Sequence, residues 1–482
     1  MKKLINSLLV FYSLRFSKTI TYMLQVSEYK PGKYFKWFWT TDDFSKVITR
    51  QQLVNTPRSK TIMSGINFGI AIEILAGLVL IVLGFLNKLV GGIYFGFAVI
   101  IAYPIIWSQL IGFFVFFARI LIINPDEKKK ISNSKDIFSK TKAKKIAVLG
   151  SYGKTSMKEL LSSVLSRSLN VVATPGNMNV AISHARFAAK LTGNEDVVII
   201  EYGEGAPGDI AKFALNTKPD IAVITGLSPA HLDEYKTLEA AAKDIFSISK
   251  FVDDKNIYVN LDSKETNKYI TKTQNGYSSE GALGYKVSDV NNSLSGISFT
   301  LTKGDKKLKV KSKLIGRHQI APLSLVATLA LNLGMKKEDV EKGLSETTAY
   351  EHRMKPRDLN GATIIDDTYN GNLEGVRAGT KLLKEVDARR KIYVTPGLVD
   401  QGSMNKIVHN EMGELIADAK PDIVVLMKNS VTNFIKEGLH KGEYKGELIV
   451  EEDPLHFYNN LASFTASGDV VLMQNDWTDI YK

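Results

Sequence analysis

Residues Gly150-Ser151-Tyr152-Gly153-Lys154-Thr155-Ser156 stand between an apolar run, 146–149, and a helical pattern in which Met157, Leu160, Leu161, Val164 and Leu165 share one face. A strand that ends in a glycine turn and runs straight into a helix makes an anion cradle. Backbone N–H groups and the helix dipole face the anion, Lys154 adds a point charge, and the Thr155 hydroxyl suits Mg²⁺. The chemistry this allows is binding of ATP or GTP through its phosphates. In the general pattern G-x-x-x-x-G-K-[ST] the first glycine falls where this chain has Val148; the shorter G-x-x-G-K-T stands instead. The competing reading is an ordinary strand-to-helix turn with an exposed lysine.

The elements that must hold this turn are read from periodicity. From Lys142 onward, apolar runs at 146–149, 171–173, 197–201, 221–225, 257–260, 362–366, 391–395, 423–427 and 470–473 alternate with amphipathic helical patterns. That alternation predicts parallel sheets with helices on their faces. Between them, 296–301 and 307–310 alternate with period two around Gly304-Asp305, which predicts an antiparallel hairpin. Ligands of open α/β sheets sit beyond the carboxyl ends of the strands. The run 197–201 ends in Glu201 and the run 221–225 leads to His231, so a carboxylate and a histidine are expected on the same edge as the glycine turn. Thr155 and Glu201 suit Mg²⁺, which takes oxygen ligands; His231 is a less usual ligand, and a structural histidine is its alternative.

Net charge is +12, but its placement argues against nucleic acid as a partner. Residues 1–60 carry eleven Lys/Arg against three Asp/Glu, another basic cluster runs from Lys128 to Lys145, and both flank the most apolar part of the chain. Within that part, 62–86 holds one charge, Glu73, and 89–118 holds none. Each is long enough to cross a hydrocarbon core of about 30 Å. The break at Asn87-Lys88 predicts a transmembrane helical hairpin, and its basic flanks place both ends in the cytoplasm. Residues 1–24 read as a surface helix or a further span; the aromatics beyond, Tyr29 to Trp39, suit the inner leaflet. Glu73 is either a functional intramembrane acid or a helix-to-helix hydrogen-bonding group. The absence of cysteine excludes disulfides and thiolate metal sites.

A longer series of motifs resembles the Mur ligases, most nearly the branch that adds D-alanyl-D-alanine to a UDP-N-acetylmuramoyl-tripeptide. After the glycine turn come Thr174-Pro175-Gly176-Asn177-Met178-Asn179, Ile200-Glu201-Tyr202-Gly203, Pro207-Gly208-Asp209-Ile210, Ala230-His231-Leu232-Asp233 and Ala242-Lys243-Asp244-Ile245. Gly316-Arg317-His318, His352-Arg353 and Asp366-Asp367-Thr368-Tyr369-Asn370-Gly371-Asn372 follow. The resemblance covers about 143–475. It implies a central parallel-sheet P-loop ATPase domain (142–347) and a C-terminal Rossmann-like α/β domain (348–482). A basic membrane-proximal segment (1–60), two transmembrane helices (61–124) and a basic linker (125–141) precede them.

The resemblance implies an ATP- and Mg²⁺-dependent amide ligase, which activates a substrate carboxylate as an acyl phosphate; the apolar hairpin and its basic flanks place it at the cytoplasmic membrane. Its catalytic residues would be Lys154, His231, Lys243 and Arg353. Gly150, Ser151, Gly153, Lys154, Thr155 and Ser156 would hold the phosphates, and Arg353 would reach the transferring one. His318, Asp367, Tyr369, Asn370 and Asn372 would line the nucleotide. Thr155, Glu201, His231 and Lys243 would serve the metal, Lys243 as a carbamate; a solvated helix lysine is the alternative there. Asn177 and Asn179 would face the acyl substrate. The chain departs from the pattern at Gln319 and Pro322, near the adenine contact, and at 396–402 and 474–476, where the amine would be chosen. The membrane hairpin stands where a UDP-sugar domain is expected. The implied partners are thus a cell-wall precursor, lipid-linked in the sharper form, an amino acid or dipeptide, and the membrane. A P-loop ATPase switch and a Mur-like binding protein without catalysis remain open.

Overall fold

Each of the nine apolar runs forms a strand in the computed structural model, which describes residues 12, 15–27, 29–40, 53–176, 178–228, 235–369, 371–399 and 401–475. The chain divides into two units, 1–129 and 130–482.

The larger unit holds two sheets. The first contains β1 (Lys144–Leu149), β2 (Val171–Ala173), β3 (Val197–Glu201), β4 (Ile221–Ile224), β5 (Ile257–Asn260) and β6 (Asn275–Ser278). These six are parallel, and the sheet continues through the antiparallel strands β7 (Gly281–Ala282), β8 (Tyr285–Ser293), β9 (Gly296–Lys303) and β10 (Lys306–Ser312). Its order is β10-β9-β8-β7-β6-β5-β4-β1-β3-β2. β1 lies between β3 and β4, and Ile146, Ala147, Val148 and Leu149 on it are fully buried. Burial on both faces explains why β1 reads as a continuous apolar run.

The second sheet contains β11 (Lys355–Leu359), β12 (Ala362–Asp367), β13 (Lys391–Thr395), β14 (Ile423–Met427), β15 (Glu447–Glu451) and β16 (Val470–Gln474), in the order β11-β12-β16-β13-β14-β15. All neighbours are parallel except β11 and β12. Helices and loops cover both faces, with Tyr393, Val424 and Leu472 on one side and Ile364, Ile392 and Val471 on the other.

The smaller unit contains the helices Pro57–Leu86 and Val90–Ala118, of 30 and 29 residues. At 1.5 Å per residue each is about 45 Å long, enough to cross a bilayer. Thr56 starts the first with a capping box, and Pro57 occupies its first turn. The pair approaches closely along glycines. A methyl group on Gly77 would lie 2.5 Å from Ile100, and one on Gly96 would lie 2.6 Å from the Gly77 carbonyl. Glu73 accepts a hydrogen bond from the Trp107 indole at 2.6 Å, so it takes the helix-to-helix role. Phe68, Leu75, Phe85, Phe95, Ile105 and Phe114 are among the large apolar side chains left exposed. The helix Phe16–Val26 packs Ile20 and Leu24 into this unit's core; most of residues 1–15 lie outside the described residues, and with them the choice between a surface helix and a further span.

Candidate active site

Register places the site. Val148 of β1 pairs with Glu201 of β3, and Leu149 of β1 with Ile224 of β4. The glycine turn, Glu201 and Thr225 therefore leave the sheet at one level. Gly150 has φ 137°, and a β-carbon there would lie 2.5 Å from Thr225 Oγ1; Gly153, at φ 74°, leads into the helix Lys154–Leu165. Both need glycine. The Ser151 N–H donates to the Gly226 carbonyl at 2.8 Å, and the Thr225 hydroxyl donates to the Tyr152 carbonyl, tying the turn to the neighbouring strand.

A compact charge cluster follows. Lys154 Nζ donates to the Gly150 carbonyl and to Glu204 Oε2, both at 2.6 Å. Thr155 Oγ1 donates to Glu201 Oε1 at 3.2 Å. Lys158, one helical turn beyond Lys154, is fully buried; its Nζ donates to the Thr174 carbonyl at 2.8 Å and to that of Gly176, and lies 3.4 Å from Glu201 Oε2. Two lysines thus face two buried glutamates. The Glu201 backbone is held by Thr174 Oγ1 at 3.0 Å and by His184 Nε2 on its carbonyl at 2.8 Å. Burial lowers the His184 pKa to about 4, so the ring is neutral and donates from Nε2.

The oxygen set fits a hard divalent cation. Thr155 Oγ1 and Glu201 meet in a buried site, and Glu201 Oε2 accepts no hydrogen bond among the described residues. No group of three acidic, histidine or cysteine side chains gathers among those residues. Mg²⁺ would draw its remaining ligands from water and phosphate. His231, Asn177 and Asn370 lie outside the described residues. Asn179 donates its side-chain amide to Glu201 Oε1 at 3.1 Å, so it supports the acidic group. Lys243 is exposed on the helix Leu238–Phe246 and forms no hydrogen bond or ion pair among the described residues. Its neighbour Asp244 is buried instead, accepting from the Gly208 N–H and the Tyr235 hydroxyl, both at 2.8 Å, and bracing the loop after β3.

The second sheet contributes from across a cleft of about 980 Å³, whose walls include Gly153, Ser156, His318, Arg353, Asp367 and Asn372. Arg353 lies between two residues in the left-handed region, His352 (φ 59°) and Met354 (φ 48°). Its Nη1 donates to the Tyr369 carbonyl at 2.7 Å, its guanidinium lies 4.8 Å from the Tyr369 ring centroid, and its Nε is buried without a hydrogen bond among the described residues. Burial lowers the Arg353 pKa, opposed first by the charge of Asp367 and more weakly by Tyr369 and Glu201. Asn372 caps the helix Leu373–Glu385 by accepting from the Gly375 N–H at 2.9 Å. Gln474 is buried and committed: it donates to Asp367 Oδ2 at 2.7 Å and to the Gly375 carbonyl at 2.9 Å, and accepts from the Tyr393 hydroxyl at 2.8 Å.

Burial raises the Asp367 pKa from 3.8 to about 6, against the opposing Gln474 amide and Arg353 charge. Folding therefore favours the protonated acid, and its contribution to stability is present below pH 3.8 and lost as pH rises through about 6. A shift of that size corresponds to on the order of 3 kcal/mol. The stability advantage of the wild type over Asp367→Asn is expected to shrink between pH 4 and pH 7 when thermal unfolding is followed. An advantage that grows over this range would contradict the assignment.

Residues 148–330 match the Mur ligase middle domain. The chain is 29% identical over 303 residues to the UDP-N-acetylmuramoyl-tripeptide–D-alanyl-D-alanine ligase of Borreliella burgdorferi, covering 60% of each chain. It is 29% identical over 294 residues to the ligase of that name from Escherichia coli, covering 59% of this chain and 64% of the other. The match thus spans less than two thirds of either relative's own length. Among solved structures, MurF from Acinetobacter baumannii has a TM-score of 0.64 at 22% identity, covering 73% of this chain and 77% of that one. MurF ligase from Thermotoga maritima in complex with ADP has a TM-score of 0.64 at 23% identity, covering 73% and 80%. At these identities the structural likeness speaks for the α/β fold, while residues 148–330 carry the likeness in sequence, to the Mur ligase middle domain.

Proposed function

We propose that the chain is a membrane-anchored, ATP-dependent amide ligase whose catalytic unit works on the cytoplasmic side. The observation that carries this reading is the meeting of the glycine turn (Gly153, Ser156) and Arg353 around one cleft, with Glu201 near enough for its charge to act on Arg353. A carboxylate is a poor electrophile because its leaving group would be oxide. Transfer of the γ-phosphoryl group of ATP to a carboxylate oxygen gives ADP and an acyl phosphate. An amine then attacks the carbonyl carbon, the C–N bond forms, the C–O bond to phosphate breaks, and the amine loses a proton.

In this reading the loop N–H groups and Lys154 hold the β- and γ-phosphates, and Arg353 balances charge on the transferring phosphoryl group. His318, Asp367, Tyr369, Asn370 and Asn372 line the nucleotide. Thr155 and Glu201 hold Mg²⁺, with His231 serving a second ion. When bound, Mg²⁺ screens the crowded phosphate charge. Lys158, His184 and Asn179 keep Glu201 in place. Lys243, as a carbamate, serves the metal. Asn177 faces the acyl substrate.

The relatives' names point to a muramoyl peptide as acceptor and a dipeptide as amine, and we extend both to this chain as a cell-wall precursor and an amino acid or dipeptide. The two long apolar helices, their exposed side chains and their basic flanks support anchoring in the cytoplasmic membrane. Because that hairpin directly precedes the catalytic unit, the acceptor is taken to be lipid-linked, and anchoring raises its effective concentration. Purified full-length protein is expected to turn over a lipid-linked muramoyl peptide faster than a soluble UDP-linked one. Equal turnover of the two would sink the lipid-linked acceptor and leave the ligase chemistry standing.

A further inference from the structure

Glu204 is a buried charge beside the phosphate loop that the proposed reaction leaves unused. It follows β3 by three residues, is 4% exposed, and its Oε1 has no hydrogen-bond partner among the described residues. Its Oε2 accepts from Lys154 Nζ at 2.6 Å. The backbone around it is fixed: the Gly203 N–H donates to the Asn179 carbonyl at 2.8 Å, and the Gly208 N–H to Asp244 at 2.8 Å. A lysine ammonium has three donors. Two are engaged, by Gly150 and Glu204, which leaves one for a phosphate. A triphosphate that takes Lys154 fully must strip Glu204 of the one hydrogen-bond partner it has among the described residues and leave its carboxylate uncompensated in a buried site, which is costly.

We propose that Glu204 is a displaceable counter-ion of the phosphate-loop lysine: it holds Lys154 while the loop is empty and yields it when a second cation takes over its carboxylate. Triphosphate and that cation then bind cooperatively, and a nucleotide arriving alone binds weakly. The inference rests on reading 150–156 as the nucleotide site. The cation is either the divalent metal or the ammonium of the amine donor, since either carries the sign that Glu204 needs.

The test is the dissociation constant of a non-hydrolysable ATP analogue for the detergent-solubilised full chain, measured in EDTA for wild type, Glu204→Gln and Glu204→Asp. Glu204→Gln is expected to bind at least about tenfold more tightly than wild type. Glu204→Asp keeps the charge for folding but withdraws the carboxylate by one methylene, and is expected to fall between them. Unchanged or weaker binding in both variants overturns the inference, and a merely structural Glu204 would lower the melting temperature without tightening binding. Failure of the wild type to bind the analogue even with Mg²⁺ strikes the nucleotide site itself. Mg²⁺ and D-alanyl-D-alanine, added separately, identify the cation as the one whose tightening of the analogue is lost in Glu204→Gln.

Discussion

Arg353→Ala is expected to lower ATP turnover by roughly 10²–10³-fold while the affinity for a non-hydrolysable analogue changes by less than about threefold, because a donor aimed at transition-state charge acts there more than in the ground state. The geometry supports this division. The guanidinium reaches the cleft from the second sheet, whereas the glycine turn and Lys154 belong to the first. Its Nε is buried and makes no hydrogen bond among the described residues, so a donor stands ready for an anion. The two flanking residues at positive φ show a backbone held in an unfavourable conformation, a cost found where function demands it. Single-turnover phosphate release and equilibrium binding, measured on one preparation, separate the two effects. Loss of analogue binding would mean that Arg353 supports the nucleotide pocket rather than phosphoryl transfer.

Lys158→Met is expected to destabilise the larger unit by about 3–5 kcal/mol, the usual penalty for removing one partner of a buried ion pair. Methionine preserves most of the volume, so loss of charge dominates over loss of packing. Removal of Nζ leaves the Thr174 and Gly176 carbonyls without this donor, and Glu201 without its nearest ion-pair partner. For a unit of this size the melting temperature would fall by about 4–7 °C. A shift below about 2 °C would show that water or a neighbouring group replaces the ammonium at little cost. Lys158 also places Glu201, so this variant is expected to lose turnover even where it stays folded.

The strands that position the site were legible because burial on both faces imposes long apolar runs, as at 146–149 and 423–427. Of the strands without an apolar run, β11 and β15 are sheet edges, while β6, β7 and β8 lie inside the first sheet but are short or polar. β8 reads Tyr-Lys-Val-Ser-Asp-Val-Asn-Asn-Ser and carries a register shift between Ser288 and Asn291. β11 holds Pro356 and charged residues at one edge of its sheet, and β15 forms the other edge. Polar edge strands bury too little to leave a hydrophobic signature. The site divides in the same way. Gly150, Gly153, Lys154 and Glu201 announce themselves through a local turn and a strand end. Glu204 and His184 have no such signal, since their partners are 50 and 17 residues away in sequence. Lys158 did carry one: a lysine directly after Met157, on the side of a helix whose neighbours are buried. Gln474 looked like a contact for the amine; three internal hydrogen bonds give it a structural task instead.

The central claim is that ATP cleavage is coupled to amide formation. Its most direct test is phosphate release by the detergent-solubilised full chain with ATP, Mg²⁺, a cell-wall precursor and a set of amino acids and dipeptides, each amine added or omitted. The account predicts release that requires both precursor and one amine, equals the amide formed, and vanishes in Lys154→Ala. Phosphate release that is the same with and without every amine would contradict it, and would leave a membrane-bound nucleotide switch as the better description.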